Sequence, residues 1–153
     1  MIDKTFVEAA HESVDDTIEA IRHELFTFDD WMERYEYIIE LGRSLPPFPP
    51  EWKTDDRLVP GCQSRVWLEP RREGEALYFA GNSDAAIVSG LVAILLRVYS
   101  GRRPAQIIGT SPAFLKEWGL IGALSGSRGN GVAAMAERIQ WLAASSQSTS
   151  KLI

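Results

Sequence analysis

The apolar positions of this chain change period as it proceeds, and the changes mark out its elements. Phe6, Val14, Ile18, Ile21 and Leu25 make a loose stripe near helical spacing. Trp31, Tyr35, Ile38, Leu41 or Gly42, and Leu45 recur every three or four residues. That spacing predicts a helix from about Asp29 to Leu45 whose buried face includes Trp31 and Tyr35. Asp29 and Asp30 suit its start, where carboxylates meet unsatisfied amides and the positive end of the dipole. Pro46-Pro47 stops it, because proline cannot continue the hydrogen-bond ladder. A proline-rich loop runs from Pro46 to Asp56, and the pattern then becomes extended. Val66 to Arg72 reads as a strand, Arg71 to Gly74 as a turn and Ala76 to Ala80 as the returning strand, with Leu58-Val59 as a third. Gly81-Asn82-Ser83-Asp84 closes the strand and opens a helix, with Ser83 as N-cap and Asp84 in the first turn. Ala85 to Ser100 is apolar nearly all round, which predicts a central, buried helix ended by Gly101. Short helical turns follow at Pro104–Ile108 and Pro112–Trp118. Ser127 is expected to cap a last helix reaching about Ala144, with Val132, Met135, Ile139 and Leu142 inward. These elements describe a small antiparallel sheet packed against helices, an α+β chain without internal repeats.

Composition narrows the classes. A chain of 153 residues with 45% apolar side chains suits one domain around one core. The division expected is an acidic, partly helical extension over residues 1–25, a domain over 26–145 and a flexible polar tail over 146–153. The net charge is -5, and the acid is concentrated at the front: residues 1–30 carry nine acidic side chains against Lys4 and Arg22. Such a front argues against a nucleic-acid groove, which needs clustered Lys and Arg. The longest apolar stretch, Ala85 to Leu96, is interrupted by Ser89-Gly90 and falls short of the roughly 20 residues of a membrane span. Met1-Ile2-Asp3-Lys4 has no basic region followed by an apolar core, so no secretory signal is expected.

Cys62 is the single cysteine, in the run Leu58-Val59-Pro60-Gly61-Cys62-Gln63-Ser64-Arg65-Val66-Trp67-Leu68. One thiol closes no internal disulfide, which makes a reducing cytoplasm the expected compartment. Nor does it supply the thiolates of a structural zinc or an iron–sulfur cluster. It can act as a nucleophile or carry a received group, or it can be a small buried hydrophobe. His11 and His23 sit in the acidic lead with nothing marking them as ligands or bases.

Around Cys62, the run Gly61-Cys62-Gln63-Ser64-Arg65-Val66-Trp67-Leu68 resembles the signature of the SufE family of sulfur acceptors. Further blocks resemble the family in the same order: Trp31 to Gly42, Ser83 to Val88 followed by Gly90-Leu91, and Leu124-Ser125 with Ser127-Arg128 and Gly131. The resemblance covers roughly Phe28 to Leu142. Gln63-Ser64 looks like the SufE branch, and Arg65 like the sister CsdE branch. The resemblance implies a compact α+β fold similar to the IscU scaffold proteins. It implies that Cys62 takes a persulfide sulfur from a SufS- or CsdA-type cysteine desulfurase, stimulates that enzyme, and passes the sulfur on to iron–sulfur scaffold proteins. No cofactor is implied for this chain, since pyridoxal phosphate would belong to the desulfurase.

Gly61 lets the loop bend and lets a partner's backbone approach. Gln63 and Ser64 either donate to a sulfur anion or satisfy turn backbone. Asp84 reads chiefly as a first-turn residue. Arg128 reads as an ion-pair partner of a carboxylate such as Asp84, ahead of a direct role in stabilising a thiolate. Other readings stay open: an activator that binds the desulfurase without carrying sulfur, CsdE-like delivery to a different acceptor, and a homodimer sharing two thiols at a cluster. An independent cysteine hydrolase lacks a histidine partner.

Overall fold

The computed structural model describes residues 2–10, 12–62, 64–120 and 127–152, with only the backbone described at 127–131 and 148–152. Two helices lead, α1 (Val14–Phe26) and α2 (Trp31–Arg43). A hairpin of β1 (Val66–Glu73) and β2 (Ala76–Ser83) follows, then the central α3 (Ala86–Tyr99), the short α4 (Pro104–Ile108) and α5 (Ala113–Glu117), and α6 (Ser127–Leu152). This is the expected α+β arrangement.

The α1 and α2 starts are set by side-chain caps. Ser13 accepts the Asp16 amide at 3.1 Å ahead of α1, and Asp30 accepts the Met32 amide at 3.0 Å ahead of α2. The end of α1 is satisfied from α2. Arg34 donates to the carbonyls of Leu25 (3.0 Å) and Phe28 (2.6 Å), which is why a guanidinium is only 7% exposed here. This shifts the expected face of α2 at its start, while Ile38 stays in the core and Tyr35, Leu41 and Leu45 pack against it. The stripe turned inward is Arg34, Ile38 and Gly42, while Trp31 is 39% exposed and Tyr35 half-buried. Trp31 lies on the opening turn of α2, and its ring covers the Arg34 guanidinium at 4.6 Å.

Helix α3 is buried on nearly every side, as its all-round apolar sequence predicts. It packs against α2 through two glycines. A Cβ on Gly90 would stand 2.0 Å from the Ile38 carbonyl oxygen, and one on Gly42 would stand 2.6 Å from the Gly90 nitrogen. The backbones therefore approach more closely than any side chain allows.

The hairpin turns through Gly74-Glu75, with Gly74 left-handed at φ +61°. Val66, Leu68, Leu77 and Phe79 face the main core with α3. Trp67, Tyr78 and Ala80 face the other way and are covered by Ile2, Phe6, Phe48 and Trp52. Phe6 is therefore buried within the N-terminal stretch, and Val7 donates to the Phe79 carbonyl at 3.0 Å. The Phe79 amide donates to Ser100 Oγ at 2.9 Å. Both bonds point away from β1, so Pro70, opposite Phe79, lies at a site without ladder bonds, where its missing N–H costs nothing. The third strand is reduced to a single bridge, Leu58 with Trp67. Strand β2 runs on to Ser83, three residues past its expected end, because the hairpin ladder stays paired as far as Val66. Helix α6 continues to Leu152, beyond the expected Ala144.

Gly90→Ala should force the α2–α3 crossing apart and lower unfolding stability by about 1–3 kcal/mol or more in denaturant titrations. Gly42→Ala should behave alike. Stability equal to that of the unsubstituted chain would contradict the packing.

Candidate functional site

The segment Pro60–Arg65 is a loop pinned at its base by backbone bonds. The Val59 amide donates to the Val66 carbonyl at 2.8 Å, next to the Leu58–Trp67 bridge. Val59 and Val66 are both buried, so the base is anchored in the core. Gly61 turns the chain at φ +88°, a conformation that L side chains rarely adopt. A Cβ there would meet the Ala134 side chain of α6 at an ordinary 3.5 Å, so backbone geometry, not space, calls for glycine.

A second clip holds the far end. The Arg65 amide donates to Asp84 Oδ1 at 3.1 Å, and the Asp84 amide donates to the Arg65 carbonyl at 3.2 Å. Ser83 Oγ also donates to the Arg65 carbonyl, at 2.7 Å, and accepts the Ala85 amide at 3.2 Å. Ser89 Oγ ties the junction down by donating to the Ser83 carbonyl at 3.2 Å. Ser83 therefore does not cap α3 as expected, and Asp84 lies ahead of the helix instead of in its first turn. The helix begins at Ala86 with no side-chain cap, and the two side chains turn back to the loop.

Between these anchors stands Cys62. It is half-buried and packs against the main core, whereas Pro60, Gly61 and Arg65 around it are exposed. Burial pushes its thiol pKa up, so less thiolate is present at neutral pH than for a cysteine in water. Ser64 is half-buried in the same bend. Gln63 and the side chain of Arg128 lie outside the described residues, and with them the expected Asp84–Arg128 pair. The fold thus brings Gly61, Cys62, Ser64 and Asp84 to one end of the hairpin. Sequence reasoning missed Ser83 as an anchor and Ala134 as the loop's neighbour. The first was findable, because a two-residue turn at Gly74-Glu75 puts Ser83 opposite Val66. Among the described residues no group of three or more His, Cys, Asp or Glu side chains could hold a metal ion, and no helix is long and apolar enough to cross a membrane.

A pinned loop carrying one cysteine, set at the end of a hairpin backed by helices, defines a class of small α+β protein with a thiol-bearing loop. The description "Fe-S metabolism associated domain", the SufE model, matches residues 19–143. A SufE-like protein of Rhizobium etli is 42% identical over 130 residues, covering 81% of this chain and 87% of its own. A SufE-like protein of Rhizobium meliloti is 46% identical over 118 residues, covering 73% and 84%. The sulfur acceptor protein CsdE of Escherichia coli is 37% identical over 125 residues, covering 80% and 85%. A solution structure of a hypothetical protein from Thermus thermophilus shares the fold at a TM-score of 0.71 and 19% identity, covering 86% of this chain and 96% of that one. The chain belongs to the SufE family.

The rate of Cys62 alkylation by iodoacetamide should rise with pH to a midpoint higher in the folded protein than in the urea-unfolded chain, since burial disfavours the thiolate. Asp84→Ala, which removes an acceptor worth about 1 kcal/mol, should raise the alkylation rate several-fold at pH 8, with Asp84→Asn between. A midpoint no higher than in the unfolded chain, or an Asp84→Ala rate unchanged, would contradict this geometry.

Proposed function

We propose that the protein is a sulfur acceptor and carrier whose working group is Cys62, serving a pyridoxal-phosphate cysteine desulfurase in iron–sulfur cluster assembly. The observation that carries this reading is the placement of the chain's one thiol in an exposed loop fastened at both ends by backbone bonds. Membership of the SufE family and likeness to a protein named as a sulfur acceptor support it.

In the proposed step the desulfurase holds a cysteine persulfide. The Cys62 thiol loses its proton, and its thiolate attacks the outer sulfur of that persulfide. The donor's sulfur–sulfur bond breaks, the donor cysteine leaves as thiolate, and Cys62 becomes the persulfide. No net redox change occurs, and the enzyme is cleared for another turnover. The raised pKa leaves less of the resting thiol as thiolate, so a partner that draws the loop outward or takes the proton would speed the attack. Half-burial then serves the product, because a persulfide shielded by the core is less open to oxidation and to small thiols. The sulfur would pass by the same chemistry to a scaffold protein or, in CsdE-like fashion, to another acceptor.

The half-buried thiol also suits a second reading, in which the protein activates the desulfurase by binding and carries nothing. Cysteine turnover separates the two. Addition of the unsubstituted protein should raise the desulfurase rate severalfold, and Cys62→Ser should abolish that rise while still binding. Full stimulation by Cys62→Ser would establish the activator and overturn the carrier.

A further inference from the structure

The stretch ahead of α1 is fixed to the body along its length. The Val7 amide donates to the Phe79 carbonyl at 3.0 Å, and the Val7 carbonyl accepts Ser100 Oγ at 2.8 Å. Ala9 passes so close to Gly101 that a Cβ on the glycine would stand 2.5 Å from the Ala9 Cβ. Phe6 is 1% exposed, and the Arg71 guanidinium covers its ring at 4.5 Å. All of this lies ahead of the family match at residues 19–143.

The neighbours of Phe6 give it a reach beyond the stretch itself. Its ring lies 5.7 Å from that of Trp52, and both belong to one apolar cluster with Leu58 and Trp67. Leu58 and Trp67 form the bridge beside the Val59–Val66 bond, at the base of the Cys62 loop. The arm that leads to Cys62 is therefore joined to β1 by a single bridge and one further backbone bond, and an isolated pairing of that kind is marginal in water. The apolar cluster decides how firmly the arm stays down.

We propose that residues 2–10 are a strap and that Phe6 is a positioning residue for Cys62, holding the arm at residues 58–60 on β1 through the Trp52–Leu58–Trp67 cluster and so keeping the thiol half-buried against the core. With the ring in place the base of the loop shares the stability of β1. Loss of the ring leaves a cavity in the cluster, and the arm then opens by itself. The consequence for sulfur transfer rests on the carrier reading, since a strap that shelters the resting thiol shelters its persulfide too. The placement of the thiol does not rest on that reading.

Phe6→Ala and Phe6→Leu in the full-length chain test the strap by the alkylation rate of Cys62, measured without urea and at low urea below the unfolding transition. Phe6→Ala should raise the rate about tenfold, and Phe6→Leu, which keeps an apolar side chain, by less. The raised rate should stay level with urea, because a local opening uncovers little surface, whereas alkylation through global unfolding climbs along the unfolding slope. A folded Phe6→Ala variant that reacts at the rate of the unsubstituted protein, or a rise that follows the unfolding slope, would overturn the proposal. If Phe6→Ala does not fold, Phe6→Leu decides alone, by a urea-independent rise of at least about twofold or its absence. Desulfurase stimulation by Cys62→Ser tests the carrier separately: full stimulation there leaves the strap standing, and unchanged alkylation here leaves the carrier standing.

Discussion

The fastening of one loop is the constraint on which the site depends. Val59 and Val66 close its base inside the core, and Ser83 and Asp84 hold Arg65 at the hairpin's end. The two anchors differ in kind. The base is buried and belongs to the same packing as β1, so it opens only when the fold does. The Asp84 clip is exposed, and each of its bonds contributes on the order of 1 kcal/mol net. Releasing it costs a few kcal/mol, an amount a docking partner can supply. On the carrier reading proposed above, the loop would give way at its Arg65 end while its base stays fixed.

The surrounding packing explains the firmness of that base. Helix α3 is buried nearly all round and sits directly on α2 because Gly42 and Gly90 leave no side chains between them. The hairpin lays one face on α3 and has the other sealed by Phe6, Phe48 and Trp52. A two-stranded ribbon alone is marginal in water. Here both faces are covered, the edge of β2 is bonded to Val7 and Ser100, and β1 carries Pro70 where the ladder needs no donor.

Much of this was legible in the sequence. The all-round apolar run at Ala85–Ser100 has one physical solution, burial at the centre, and the alternation on either side of Gly74 has another, a hairpin. Cys62 stood out because no other thiol was present, and the SufE resemblance gave it a chemistry. What failed did so for definable reasons. The stripe on α2 holds at Ile38, with Tyr35, Leu41 and Leu45 packed against the core, but it placed Trp31 inward and missed Arg34, since a buried guanidinium that caps a neighbouring helix leaves no apolar signature. Ser83-Asp84 carries the composition of an N-cap, and local composition cannot say that the two side chains are bonded across the hairpin to Arg65. Extending the strand register from the turn would have said so.

The carrier reading is tested most directly by the mass of the peptide containing Cys62 after the protein has met its desulfurase and cysteine under anaerobic conditions. The account predicts a gain of one sulfur atom on that peptide, removed by a reducing thiol and missing when the desulfurase is left out. A peptide of unchanged mass, from protein whose desulfurase is turning over at the stimulated rate, would contradict it.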